Sequence, residues 1–208
     1  MNEIPQNPIG GKPDELPLSD NIGRANEIFA DGCQRMRARL AEPDTSPDQI
    51  NKLIENARIQ YNVGLPHCES PIECMTLAAL VTSDWRSDWH PDWRSQEEIF
   101  VDVVPSDGAP ELDSVLIIYP QFKLRHVRLD FAISVRPHAY ILQDRSRMWA
   151  VECDGKEFHQ DGYKWRDRDA FINSCGIDVL HISGSEIHKN VNLALMPLVN
   201  VVNYWKML

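Results

Sequence analysis

Two short runs of the sequence place carboxylates where a strand would carry apolar side chains. One is Arg128-Leu129-Asp130-Phe131-Ala132; the other is Val151-Glu152-Cys153-Asp154-Gly155-Lys156. A carboxylate on a buried strand face costs roughly several kcal/mol unless it is paired or holds a metal. Two such acids on neighbouring strands aim their oxygens at one point. That suits a hard cation such as Mg²⁺, which takes one or two carboxylates, a backbone carbonyl, and water or phosphate oxygens. Such an ion polarises a phosphodiester and lowers the pKa of an attacking water. Asp130 and Glu152 are the expected ligands, with the Cys153 carbonyl as a further one. Glu152 and Asp154 lie two residues apart and so share a strand face. Lys156, beyond Gly155, is positioned to orient the water or to meet the charge that develops on the phosphate. His159 is a second candidate for proton handling.

Positioning these residues requires strands. Period-two patterns predict strands over Ile99–Val104, Val115–Tyr119, Val127–Ile133, Met148–Asp154 and Ile177–Ile182, with Tyr140–Leu142 a shorter candidate. Helices are expected over Ile22–Leu40 and from Pro47 to about Tyr61, the second opened by Ser46 as N-cap. Ser70-Pro71-Ile72-Glu73 opens a third, where Ser70 and Glu73 have capping-box spacing. A polar, basic helix follows from Gly162 to Cys175, with Gly176 at its C′ position. Ser185 to Leu208 reads as helix interrupted near Pro197. The order of elements, helix, strands, helix, strand, helix, favours an α/β fold with a mixed sheet.

In order and spacing these motifs resemble the PD-(D/E)XK nucleases, in the branch of small proteins similar to the very short patch repair endonuclease. The resemblance spans about residues 70–188. It rests on Ser70-Pro71-Ile72-Glu73, Tyr119-Pro120-Gln121, the Asp130 run, Val151 to His159, then Arg168-Asp169, Gly176 and Val179-Leu180. It implies a restriction endonuclease-like αβββαβ core with helices on both sides of the sheet. It also implies a Mg²⁺-dependent endonuclease (Mn²⁺ substituting) that acts on DNA. Glu73 would reach the active site from its helix. Asp154 stands where the simplest family pattern has lysine, which leaves the role of Lys156 open. Gln121, Arg128, Arg166 and Arg168 are the expected nucleic-acid contacts.

Each residue has an ordinary structural reading beside the chemical one. Glu73 caps a helix; Asp130 pairs with Arg128 or Arg125; Arg166 and Arg168 pair with Asp167 and Asp169. The other histidines look scattered, none at metal-ligand spacing.

The net charge of −10 argues against nucleic acid at first sight, but it is unevenly spread. Residues 121–170 hold ten of the 21 Lys and Arg, so a locally basic face on an acidic protein is compatible with phosphate contact. Five cysteines without a CxxC pair read as reduced, mostly buried thiols. No apolar run approaches the roughly 20 residues that span a bilayer, and the expectation is a cytoplasmic protein without a membrane partner. Residues 1–20 read as a flexible tail, 21–65 as a helical hairpin arm, and 66–208 as the nuclease-like domain. Trp85, Trp89 and Trp93, each preceded by Asp, either pack back on the core or contact a partner. Two other functions stay open. One is a nuclease-like module that binds nucleic acid or protein without turnover. The other is a nuclease subunit or homodimer docking through the amino-terminal helices.

Overall fold

The computed structural model describes residues 18–41, 46–85, 101–105, 116–135, 147–154 and 162–206. Helices α1 (Leu18–Leu40), α2 (Pro47–Gly64) and α3 (Pro71–Thr82) come first, with a 3-10 turn at Leu65–His67. Strands β1 (Val101–Val103), β2 (Leu116–Leu124), β3 (Val127–Val135) and β4 (Arg147–Asp154) follow. Helix α4 (Gly162–Ser174), strand β5 (Ile177–Ser183) and helix α5 (Gly184–Lys206) complete the chain. The protein is therefore α/β, with a five-stranded mixed sheet in the order β1-β2-β3-β4-β5. The outer pairs β1–β2 and β4–β5 are parallel; β2–β3 and β3–β4 are antiparallel.

Helix α3 is buried from Glu73 to Thr82 because it is apolar on nearly every side. It packs against α1, α2, α5 and the sheet. Its core includes Leu77, Leu80, Phe131, Ile133, Trp149, Val151, Leu195 and Val202. A smaller core on the other face of the sheet joins Leu129, Ala132 and Ala150 to Ile172 of α4 and Ile177 of β5. The hairpin read as an arm lies against the main core, to which α1 gives Ala25 and α2 gives Tyr61. Helix α1 approaches α3 so closely that a Cβ on Gly32 would sit 2.2 Å from Thr82 Oγ1, so only glycine fits there.

The capping signals acted as expected in most places. Ser46 and Gln49 form a reciprocal capping box at α2. Gly176, with φ +81°, turns the chain out of α4 in the left-handed region.

Three sequence expectations need correcting. Strand β2 does not stop at Tyr119 but runs on to Leu124 and pairs with β3 through a two-residue turn. Pro120 is tolerated because β1 has already ended there, so no ladder on that side needs its N–H. The last helix breaks at Asn190 (φ −167°, ψ 92°) rather than at Pro197, since the Asn190 side chain caps the second half by accepting from the Leu193 N–H. Only Cys74 and Cys153 of the five free cysteines are buried, and Cys175 is exposed.

Trp85 is buried, and its indole N–H donates to the Leu80 carbonyl at 2.8 Å, so this tryptophan packs inward. Trp89, Trp93 and the strand candidate at Tyr140–Leu142 lie outside the described residues. No described helix is long and apolar enough to cross a membrane.

Candidate metal and catalytic site

The alternation of side chains along β2 and β3 reverses at one level. In β2, Leu116 and Ile118 enter the large core, whereas Phe122 and Leu124 face the small one. In β3, Val127 and Leu129 face the small core, whereas Phe131, Ile133 and Val135 enter the large one. All four β2 residues are even-numbered and all five β3 residues odd-numbered, so both strands swap faces between these sets. The pivot is Gln121, at φ +52°, opposite Asp130 in a register that runs from Pro120↔Phe131 to Phe122↔Leu129. A non-glycine residue in the left-handed region is strained, and such strain concentrates at functional sites.

The β3–β4 ladder ends at the same level. Its last pair is Phe131↔Val151. Beyond it the Asp130 carboxylate accepts the Cys153 N–H through Oδ2 at 2.7 Å. A side chain thus takes a bond the backbone would otherwise make, and the strands part. Arg168, from α4, reaches into the gap. One guanidinium nitrogen donates to the Arg128 carbonyl on β3 at 2.7 Å and to Glu152 Oε1 on β4 at 2.8 Å.

The half-buried Asp130 has two buried acids, Glu152 and Glu73, as charged neighbours. Glu152 is buried, and its carboxyl pKa is pushed up to about 7. Burial is the main cause and the Asp130 charge adds to it, against the pull of Arg168. Asp130 is raised by burial, opposed by the Cys153 N–H and the Arg168 charge. Glu73 is also raised by burial, against hydrogen bonds from Glu69, Ser70 and Gln121. Its carboxylate accepts from the Glu69 N–H, the Ser70 hydroxyl and the Gln121 amide, the last at 2.7 Å. The expected capping box is therefore half made. Ser70 accepts the Glu73 N–H, but the Glu73 carboxylate turns to Gln121 and the site.

A fourth acid, Asp154, belongs to an arrangement that sequence reasoning missed. His181 of β5 faces Asp154 Oδ2 through Nδ1 at 3.1 Å and Asp169 Oδ2 through Nε2 at 3.0 Å. With an acceptor at each nitrogen the ring is best satisfied doubly protonated. Burial works to lower the His181 pKa, but the hydrogen bonds and charges of Asp154 and Asp169 outweigh it, and the pKa is raised. A signal was present in the sequence. Ile177 and Val179 face the covered small core, and His181 follows at the same parity, where an imidazole needs partners.

The remaining expected residues fall in different places. Arg128 forms a two-pronged pair with Glu69 at 2.6 and 2.8 Å, and not with Asp130. Arg168 pairs with Glu152, and not with Asp167 or Asp169. Arg166 is exposed. The buried Cys153 thiol donates to Thr76 Oγ1, while its N–H holds Asp130. Lys156 and His159 lie outside the described residues.

Asp130 Oδ1 and Glu152 Oε2 take no hydrogen bond among the described residues. Among those residues no group of three or more His, Cys, Asp or Glu side chains could hold a metal ion. Comparison with protein-family models, curated proteins and solved structures finds no match to the chain.

Proposed function

We propose that the protein is a metal-dependent endonuclease of the PD-(D/E)XK type that hydrolyses DNA phosphodiester bonds. One observation carries the reading. The β3–β4 ladder ends beside Asp130, and the half-buried Asp130 lies close enough to the buried Glu152 for its charge to raise the Glu152 pKa. Burying one carboxylate beside another is costly unless a cation joins them. Apart from the additional edge strand β1, the succession α3, β2, β3, β4, α4, β5, with β5 parallel to β4, agrees with the restriction endonuclease-like core and supports the same reading.

When bound, the ion supplies a Lewis acid for the phosphate and a more acidic water. The residues do the rest. The Cys153 N–H fixes Asp130 by Oδ2 and leaves Oδ1 directed elsewhere. Arg168 holds Glu152 by Oε1 and leaves Oε2. Glu152 must lose a proton to act as a ligand, which its pKa near 7 permits at neutral pH. His181 orients Asp154, whose carboxylate is the candidate base for a water proton. Gln121 positions Glu73 at the edge of the site.

A second reading draws on the Arg168–Glu152 pair, which neutralises Glu152 without any metal. The chain would then be a nuclease-like module that binds nucleic acid or protein without turnover. Supercoiled plasmid with Mg²⁺ or Mn²⁺ separates the two. The wild type is expected to nick or linearise it, and Glu152→Ala and Asp130→Ala to lose roughly a thousandfold in rate, about 4 kcal/mol of barrier. Binding without metal-dependent cleavage by the wild type favours the second reading. Full activity in Asp130→Ala refutes the proposed metal site.

A further inference from the structure

The β2–β3 hairpin extends beyond the site and carries an unusual set of residues at its tip. Between Phe122 and Leu129 there are Lys123, Arg125, His126 and Arg128, and no acid, in a protein of net charge −10. Lys123, Arg125, His126 and Arg128 are all exposed.

Two features oppose building the hairpin this way. Lys123 and Arg128 stand directly opposite each other, and like charges in that position destabilise a strand pair. Arg125 holds the first position of the two-residue turn at φ +53°, a place where hairpins favour glycine. Arg128 is compensated by Glu69. Among the described residues no carboxylate pairs with Lys123 or Arg125.

The hairpin is nevertheless held firmly. Phe122, Leu124, Val127 and Leu129 pack into the small core beside Phe171 and Ile172, and the His126 ring lies 4.4 Å from that of Phe171. Its tip also lies at the site end of the sheet. β3 begins there, antiparallel β4 ends there at Glu152–Asp154, and β5 ends there after His181.

We infer that the Lys123–Arg125 tip of the β2–β3 hairpin is a rigid contact for the phosphate backbone of duplex DNA, holding the strand beside the acidic site. A polyanion lying along the tip neutralises Lys123 and Arg125, the two cations that no described carboxylate meets. It also answers how an acidic chain grips DNA: the attraction is local, on the edge of the site. The inference rests on the reading of the protein as one that acts on DNA.

The test uses the full chain and a fluorescent duplex in EDTA, so that binding is measured without cleavage. Anisotropy is followed from 50 to 200 mM salt for the wild type, for the double variant Lys123→Gln/Arg125→Gly, and for Arg147→Gln. Arg147 is an exposed arginine at the opposite end of β4, paired with Asp178. The double variant is expected to bind roughly tenfold or more weakly at 50 mM salt, with a salt slope smaller by about two, one for each phosphate no longer neutralised. Arg147→Gln should bind like the wild type. Because Arg125→Gly suits the turn, the double variant should melt at or above the wild-type temperature, which excludes misfolding as the cause.

Unchanged affinity and slope in the double variant overturn the inference, as does an equal loss in Arg147→Gln. If the wild type cuts DNA and the double variant binds normally, only the hairpin contact is wrong. If the double variant loses binding but the wild type never cuts with metal, the contact stands and the nuclease reading falls. A wild type that neither binds nor cuts duplex DNA removes both.

Discussion

The β3–β4 ladder has two halves built on opposite rules. From Val135↔Arg147 to Phe131↔Val151 it is an ordinary antiparallel pair, and its side chains fill both cores. One residue further, the backbone stops pairing and side chains take over: Asp130 bonds the Cys153 N–H, and Arg168 bridges the Arg128 carbonyl to Glu152. The paired half is held by apolar burial, which is strong and indifferent to pH. The parted half is held by a few charged hydrogen bonds around acids whose burial favours the neutral form. The fold concentrates its apolar contacts in one half and its charged hydrogen bonds in the other.

The largest expected effect tests the paired half. Phe131 is fully buried, one residue from Asp130. Phe131→Ala should cost about 3–5 kcal/mol of stability through reduced burial and the cavity left behind. If the halves are separable, the residual folded protein keeps its metal-dependent cleavage at low temperature. Denaturant unfolding and plasmid cleavage at one temperature check this; a stability loss under about 1 kcal/mol would mean the two halves are not built as described.

The next effect belongs to the parted half and depends on pH. The Glu152 pKa in the fold is about 7, against 4.5 ordinarily. A raised pKa means the fold favours the protonated carboxyl. That contribution is complete below about 4.5 and is lost as pH rises through 7. The metal-free protein should therefore lose on the order of a few kcal/mol between pH 5 and 8. Glu152→Gln should flatten that loss. Mn²⁺ should raise the melting temperature at pH 8 and do little at pH 5.5, where protons outcompete it. Equal stabilisation by Mn²⁺ at both pH values would place the ion elsewhere.

How much of this could be read in the sequence follows the same division. Asp130, Glu152 and Asp154 stood out because each lies inside an otherwise apolar strand, and the structure puts all three toward one end of the sheet. Ser70 before Pro71 fixed the start of α3, and with it the position of Glu73. The parted half was harder to see. Nothing in the residue type Gln121 announces a left-handed backbone, and the apolar pattern stops at Tyr119 on a strand that in fact continues to Leu124. His181 sits in a sound strand pattern, and its partners come from β4 and α4, so only the assembled sheet reveals them. Local pattern encodes elements that stand by themselves; contacts between distant elements need the fold.

A smaller effect is expected at His181. His181→Asn shortens the bridge between Asp154 and Asp169 and leaves two carboxylates without their shared donor. The stability cost should be about 1–2 kcal/mol, since both hydrogen bonds are charged but half-exposed. If Asp154 acts on the attacking water, the cleavage rate should also fall, with KM for DNA little changed. A loss of stability with an unaltered rate would assign His181 to the fold alone.

The smallest effect is a gain in stability of one variant over another, and it bears most directly on why the ladder parts. Gln121 spends about 1–2 kcal/mol in the left-handed region, where glycine has no such cost. Glycine returns part of that gain through the greater freedom of its unfolded chain, so Gln121→Gly should be about 0.5–1 kcal/mol more stable than Gln121→Ala, which loses the same amide and keeps the strain. For a chain of this size that is a rise of roughly 2–4 °C at most. The same change removes the amide that holds Glu73 Oε2. One of the hydrogen bonds that opposes the upward shift of Glu73 disappears with it, so the Glu73 carboxyl should titrate still higher. Gln121→Asn keeps an amide and tolerates the left-handed region, but its shorter arm falls short of Glu73. Both variants lose a charged hydrogen bond worth roughly 1.5–3 kcal/mol, and both should cut DNA more slowly than the wild type. Strain relieved in glycine relative to alanine, with no recovery of rate, identifies strain kept for positioning. Were Gln121→Gly no more stable than Gln121→Ala, the left-handed turn would carry no strain, and the parting of β3 from β4 would have to be credited to Asp130 and Arg168 alone.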